Sequence, residues 1–350
     1  MEKARNISIN DIAAACEVSA MTVSRALRQS AKVKPETLAR ILAKAGELGY
    51  YKASRLGRPE RKNRTRPGRI QLVLGGAGRN VSIFYSRLVN ALQHRLIRHD
   101  CECVLFVNDA DYNGFLILLE ALKRQSADAI ILIGDFPEPQ LKTLLMTFPG
   151  AVLLDNPGVP DFDATFSSFN FDNREAARLM LEHLIGEGRR EMVLMSGPRG
   201  HFFSRALEQT FREVLAAHGL ELDERRIVHA DFTAPGAARR MTEFLASGVS
   251  FDAVFSNDEM ALGVYRVLLS RGITIPGEVA LAGCDNLPLG AMLYPALSTI
   301  DLDYERLAEC AVEFVLGRTG DGRPRRVQLA PELLIRESTI SPGKNRRRIS

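Results

Sequence analysis

The chain has 350 residues, enough for two or three domains and a large core, and its 46% hydrophobic and 25% charged content is that of an ordinary globular protein. No apolar run approaches a membrane span and Met1 to Asn10 is polar and charged, so the sequence predicts neither a transmembrane helix nor an export signal, and hence a cytoplasmic protein. A net charge of +4 conceals an asymmetry: residues 1–69 hold 16 Lys and Arg against 6 Asp and Glu, residues 344–348 add four cations, and residues 70–343 are left at −10. One end is thus suited to a polyanion and the body is not.

Ile9 to Tyr50 reads as three short helices. Ile12, Ala13 and Cys16 fall at helical spacing, Val18 follows a tight corner, and Val23 and Leu27 lie one turn apart, so two small helices share one core. Ser19 is placed to cap the second helix, whose outer face carries Ala20, Met21, Ser24, Arg25 and Arg28. Pro35 and Glu36 suit the start of a third, striped by Leu38, Ile41, Leu42, Ala45 and Leu48 and ended by Gly49. This is a helix-turn-helix outline with a supporting helix. A helix that reads the major groove projects short side chains onto base edges, while hydroxyls and cations beside it hold phosphates. Arg25 suits a bidentate contact to guanine and Ala20 and Met21 an apolar one, while Ser8, Thr22, Ser24 and Arg28 suit phosphates. Ser19 and Tyr50 complete the DNA-facing set. The competing reading is a three-helix packing module with a solvated basic face.

Tyr51 to Arg69 breaks the composition, being rich in Lys and Arg with two Pro, two Gly and no apolar period. It predicts a linker close to DNA, with phosphate contacts from Arg55, Arg58, Arg61, Lys62 and Arg64.

From residue 70 onward, short apolar strands alternate with amphipathic helices. The strands include Ile70–Leu74, Cys103–Val107, Ala129–Ile133, Ala151–Leu154, Met192–Met195, Ala253–Phe255 and Val279–Gly283. Helical periodicity marks Phe84–Ile97, Tyr112–Arg124, Arg174–Ile185, Arg205–Ala217 and Met260–Leu269. Such alternation predicts parallel sheets with crossover helices, and about 270 residues are too many for a single core, so two sheets are expected. Ligands of open parallel sheets sit beyond the carboxyl ends of the strands. Asp155, Asn257, Asp258 and Asp285 stand there, and carboxylates and amides suit hydroxyl-rich ligands. For Asp258 a helix-start carboxylate, and for Asp155 an Asx turn, are equal alternatives. Phe84 and Tyr85 suit either stacking on a sugar ring or packing in the core. Lys344 to Arg348 form a basic, solubilising tail.

Five scattered cysteines and six dispersed histidines show no ligand spacing, so no metal and no cofactor are expected. A rival from another class rests on Gly75-Gly76-Ala77-Gly78, which follows a strand as a dinucleotide-binding loop does and would imply a cofactor-binding α/β enzyme. The third glycine of that fingerprint is missing.

The head resembles that of the lactose-repressor and galactose-repressor family of bacterial regulators. Where members read Asp-Val-Ala, Ala-Gly-Val-Ser and Thr-Val-Ser-Arg, this chain has Asp11-Ile12-Ala13, Cys16-Glu17-Val18-Ser19 and Thr22-Val23-Ser24-Arg25. The resemblance continues in Ser256-Asn257-Asp258-Glu259-Met260-Ala261-Leu262-Gly263 and Gly283-Cys284-Asp285-Asn286. It departs in the linker, where Lys52 and Ala53 replace Pro-Asn, Pro59 falls at the usual wedging leucine, and Leu56 is the local candidate for a minor-groove wedge. It departs again where relatives place an arginine followed by Gly and an aromatic: here stand Leu207, Thr210 and Phe211, with Arg205 two positions earlier and about 200° round a helix.

The resemblance implies an all-α helix-turn-helix head at 1–50, a basic linker at 51–69, an α/β two-lobed periplasmic-binding-protein-like body at 70–341 and a basic tail at 342–350. One lobe would take about 70–169 and 301–326, the other about 170–300 and 327–341. It further implies a homodimeric, non-enzymatic repressor on a near-palindromic double-stranded DNA operator. A sugar, sugar acid or related metabolite would switch it from a cleft holding Phe84, Tyr85, Asp155, Arg205, Asn257, Asp258 and Asp285.

Overall fold

The computed structural model describes residues 8–27, 33–34, 36–37, 40–41, 44, 68–76, 82–108, 111–158, 166–317 and 323–340. The chain forms two compact units, Met1–Pro59 and Glu60–Ser350.

In the first unit, Ser8 and Asp11 close a capping box at the start of α1 (Ile9–Ala15), the Asp11 carboxylate accepting from the Ser8 backbone N–H at 2.7 Å. Ser19 accepts from the Thr22 N–H at 3.1 Å where α2 (Ala20–Leu27) begins. Between the helices the chain turns at Glu17, whose φ of +51° is left-handed, and the Val18 N–H donates to the Ala13 carbonyl at 3.0 Å. That conformation is the physical reason for a glycine at this corner. Ile12, Ala13, Cys16, Val23, Ala26 and Ile41 form the buried core. The side chain of Leu27 lies outside the described residues, as do most of the expected third helix and Arg28, Tyr50, Arg55, Leu56 and Arg58.

The second unit begins with strands β1 (Gly68–Leu74), β2 (Cys101–Val107), β3 (Ala129–Ile133), β4 (Val152–Leu154) and β5 (Ser167–Phe171). Helices α3 (Ile83–Arg98), α4 (Tyr112–Arg124) and α5 (Glu138–Thr147) intervene. Strands β6 (Met192–Ser196), β7 (Ile227–His229), β8 (Ala253–Phe255) and β9 (Ala280–Ala282) follow, with α6 (Asn173–Gly186), α7 (Phe202–Ala217), α8 (Ala234–Ala246), α9 (Asp258–Ser270) and the short α10 (Pro288–Ala291). Last come β10 (Thr299–Asp301), α11 (Tyr304–Val315), β11 (Arg326–Leu329) and β12 (Glu332–Leu334).

Two parallel sheets result, ordered β11-β5-β4-β3-β1-β2 and β7-β6-β8-β9, with an antiparallel pair β10-β12 between lobes. The strands follow from sequence because both faces are covered. Ile70, Leu72 and Leu74 of β1 pack with Leu88, Leu92 and Leu96 of α3, whereas Val73 packs with Phe115, Leu118 and Leu122 of α4. Each such buried side chain contributes about 1.5–3 kcal/mol.

The chain passes between lobes after β5, between β10 and α11, and between β11 and β12. Two expected boundaries need correction: Asn170 and Phe171, assigned from sequence to the second lobe, complete β5 of the first-lobe sheet, and the last crossover also falls later than expected. Val327, Gln328 and Leu329, assigned from sequence to the second lobe, pair with Phe169, Asn170 and Phe171 in the first-lobe sheet. Val327 and Leu329 turn their apolar side chains onto that core, which fixes the strand there.

Both sheets reverse direction at their first strand, so each has a switch point, between β1 and β3 and between β6 and β8. Helices leave opposite faces at such a point and open a crevice beyond the strand ends.

Candidate functional site

In the head, α2 divides cleanly. Val23 and Ala26 are fully buried, while Met21 is 62% exposed and Arg25 is exposed beside the half-buried Ala20, Thr22 and Ser24. An exposed methionine next to an arginine on one turn is a surface able to meet apolar and guanine edges together. Two hydroxyls expected to face phosphate serve the fold: Ser8 donates to Asp11 at 2.6 Å, and Ser19 and Thr22 share a hydrogen bond of 2.8 Å.

In the body, the loops at both switch points converge. Asp155 follows β4 with a left-handed φ of +50° and is 4% exposed. Burial pushes its carboxyl up to about 7, opposed by a hydrogen bond from the Tyr85 hydroxyl and reinforced by the charge of Asp135. The Tyr85 ring lies so close to Gly134 that a Cβ there would meet its hydroxyl at 2.8 Å. Tyr85 is therefore placed to orient Asp155.

Across the cleft, Asp285 follows β9 at φ +118° and is 3% exposed. Burial and the charges of Asp258 and Asp155 hold its carboxyl well above the usual range. Among the described residues no N–H or O–H donates to this carboxylate, and only the neighbouring Cys284 thiol bonds to it. Asn257 caps α9, its side-chain oxygen accepting from the Met260 N–H at 3.0 Å, and is 7% exposed.

Asp258 stands apart. One carboxylate oxygen accepts from the Leu287 N–H and the other from the Thr299 hydroxyl, each at 2.6 Å, and Gly283 packs so tightly that a Cβ would come within 1.9 Å of it. It ties the loop after β9 to β10. Burial raises its carboxyl to about 6, with both bonds pulling the other way. Phe84 likewise turns inward, edge-on to Tyr304 at 5.3 Å and to Phe171 at 6.1 Å.

At the expected arginine position Leu207 is buried at 1% exposure. Arg205 is exposed, donates to the Gly200 carbonyl, and lowers the pKa values of both Asp135 and His201, so it faces the same rim. His201 Nε2 lies 4.0 Å from the Asp135 carboxylate, yet burial and Arg205 depress its pKa to about 4 and leave the imidazole neutral. His201 also meets Phe202 face to face at 4.6 Å and Phe232 edge-on at 4.8 Å, giving this lobe an aromatic rim. Asp135, His201 and Phe232 were not among the residues expected from sequence. Asp135 follows β3 as Asp155 follows β4, and the same strand-end rule reaches it. A surface groove of 460 Å³ between α6 and α7 lies elsewhere, and its Arg174 and Arg178 are paired with Glu213, Glu175 and Glu182.

Residues 8–52 match the family described as bacterial regulatory proteins, lacI family, and residues 181–339 match the periplasmic binding protein-like domain. The chain is 25% identical over 334 residues to the ribose operon repressor of Escherichia coli (strain K12), covering 95% of this chain and 99% of that protein. It is 27% identical over 360 residues to the HTH-type transcriptional regulator CelR of Thermobifida fusca, covering 97% and 100%. Among solved structures, a CelR–cellobiose complex superposes with a TM-score of 0.66 at 28% identity, over 95% of this chain and 99% of that one. The lac repressor dimer bound to operator and the anti-inducer ONPF shares the fold, with a TM-score of 0.67 at 20% identity over 96% and 100%. The chain thus joins a lacI-family DNA-binding domain to a periplasmic binding protein-like domain, and the relatives it resembles over nearly its whole length are transcriptional regulators of the LacI/GalR family.

Proposed function

We propose that this protein is a sequence-specific DNA-binding repressor whose operator affinity is set by a sugar-like metabolite held between the lobes. The carrying observation is the pairing, in one chain, of an α2 face exposing Met21 and Arg25 with a body whose strand ends carry Asp155, Asn257 and Asp285, with Tyr85 of α3 bonded to Asp155. The first is chemistry for base edges and the second for hydroxyl-rich ligands. Ala20, Thr22, Ser24 and Arg28 would complete the DNA contact, with Ser8, Ser19, Tyr50, Arg55, Leu56 and Arg58 as flanking contacts. Arg205 would reach the ligand from the rim.

The protein acts as a homodimer without enzymatic activity. Support for the dimer comes from large apolar side chains left open on both lobes: Ile97, Tyr112 and Ile117 on the first, at 66–72% exposure, and Met292 and Tyr294 on the second, at 80% and 93%. A single head covers too few base pairs for specificity, so two heads would meet a near-palindromic site. No described helix is long and apolar enough to cross a membrane, in keeping with a role on DNA in the cytoplasm.

The test is a titration of the full chain against its own upstream DNA and a random duplex, with and without candidate sugars, followed by fluorescence anisotropy. A preference for the upstream fragment that a sugar alters supports the proposal, and equal binding to both duplexes contradicts it.

A further inference from the structure

Acidic side chains crowd the interlobe cleft, and the arginines near them are held by other partners. Asp135, Asp155 and Asp285 stand at three strand ends, Asp258 lies behind Asp285, and Glu259 accepts from the Ile83 N–H between the lobes with Asp231 near it. Four arginines act on this set: Arg205, bonded to the Gly200 carbonyl; Arg87, bonded to the carbonyls of Asp285 and Asn286; Arg336, which acts on Asp258 and is bonded to the Leu297 carbonyl and Asn286; and Arg239, 4.0 Å from Asp231 at the margin. His201, whose Nε2 lies 4.0 Å from the Asp135 carboxylate, is neutral. The remaining polar neighbours, Tyr85, Tyr304 and Cys284, ionise only well above neutral pH.

Charge in a buried cleft is unfavourable unless it is paired and hydrogen-bonded. Asp258 meets that condition with two protein donors, and Asp155 meets part of it through Tyr85. Asp285 does not, because it is 3% exposed and receives no N–H or O–H from the described residues. Its charge reaches Tyr85 and Asp155 on the opposite lobe, so the unmet acceptor faces the gap a ligand would fill. An anionic effector would add repulsion. A neutral polyol would supply donors without relieving the like charges.

Resting on the reading of this cleft as the effector site, we propose that the effector is a sugar or polyol bearing a protonated amine, seated between Asp285 and Asp155 with Asp135 at the rim. An ammonium group brings three donors and one positive charge to Asp285, which receives no N–H or O–H from the described residues, and to Asp155, which has the Tyr85 hydroxyl alone among them. The aromatic edges of His201 and Phe232 border the carbon skeleton.

The experiment is isothermal titration of the full chain with matched pentose and hexose series: the amino sugar, the parent sugar, the N-acetyl derivative and the uronic acid. The amino sugar of at least one series is expected to bind about tenfold or more tightly than its parent and its N-acetyl form, with the uronic acid weakest. Its affinity should rise from pH 5 to 7, where the amine stays protonated, as the Asp155 carboxyl approaches its value of about 7 and ionises. In Asp285→Asn, and in the more exposed Asp135→Asn, which leaves the buried cleft floor unchanged, the ratio of amino to parent sugar should fall several-fold. Equal or tighter binding of a neutral or acidic member, an unchanged ratio in both variants, or no binding by any amino sugar would overturn the inference. Operator binding of the ligand-free protein, measured in parallel, tests the regulator reading separately.

Discussion

Arg87 of α3 reaches across the lobes to the backbone of Asp285. One guanidinium nitrogen donates to the Asp285 carbonyl at 3.0 Å and to the Asn286 carbonyl at 2.8 Å, while the cation lies 4.4 Å from the centre of the Tyr304 ring. Tyr304 adds a hydroxyl bond to the same Asp285 carbonyl at 3.2 Å. Two first-lobe side chains thus hold a second-lobe turn whose residues sit at φ +118° and +47°. A hydrogen bond from a charged donor contributes about 1.5–3 kcal/mol, so this pair fixes the turn that carries the Asp285 carboxylate and ties the two lobes together.

Arg87→Met should therefore weaken effector binding by about tenfold or more while leaving the head able to bind DNA. Arg87→Lys, a point charge that reaches one carbonyl at a time, should fall between the two. Isothermal titration with the effector checks both, and wild-type affinity in Arg87→Met would remove the tether from the account.

Asp155 has a folded-state pKa of about 7, raised from 3.8 mainly by burial. Because the folded form holds its proton more tightly, it gives stability below the unfolded pKa that is lost as pH rises from about 4 to 7. A shift of this size corresponds to about 4 kcal/mol at most. Asp155→Asn should flatten that pH dependence, leaving the variant at least as stable as wild type at pH 8 while its ligand binding is impaired. Thermal melts from pH 4 to 8 would show this, and parallel curves for the two proteins would contradict it.

Glu17 holds a left-handed φ of +51° at the corner between the head helices. Glu17→Gly should stabilise the head by about 1 kcal/mol and, by removing a carboxylate near DNA, raise operator affinity at low salt. A lower melting temperature for the variant head would argue that Glu17 makes a compensating contact.

Arg25→Ala should cost about 1–3 kcal/mol of operator binding and relax preference at one base position. A panel of single-base operator variants reads this directly. Loss spread evenly over the panel would reassign Arg25 to a phosphate.

The element pattern was largely legible because both sheets are buried on two faces, so strands such as Ala129–Ile133 appear as unbroken apolar runs. The exposed edge strand β11 was not, since Arg326–Leu329 alternates exposed and half-buried residues and its pairing partner lies some 158 residues away, as with Arg326 and Ser168. The cleft was legible in part. The strand-end rule reached Asp155, Asn257 and Asp285, because topology alone puts them there. Composition could not separate the open Asp285 from the doubly bonded Asp258, nor show that Phe84 packs on Tyr304. Those distinctions depend on which donor is nearby, and the donors, Leu287 and Thr299, lie 29 and 41 residues along the chain. Arg87 gave no signal in sequence, being one cation among several on an amphipathic helix.

On the proposed function, the exposed face of α2 reads DNA under the control of the body. Anisotropy titrations of the full chain against its upstream fragment and a random duplex, repeated over a range of salt, test it most directly. A clear preference for the upstream fragment is expected, with affinity falling steeply with salt and changing on addition of the effector. Equal affinity for both duplexes at moderate ionic strength would contradict it.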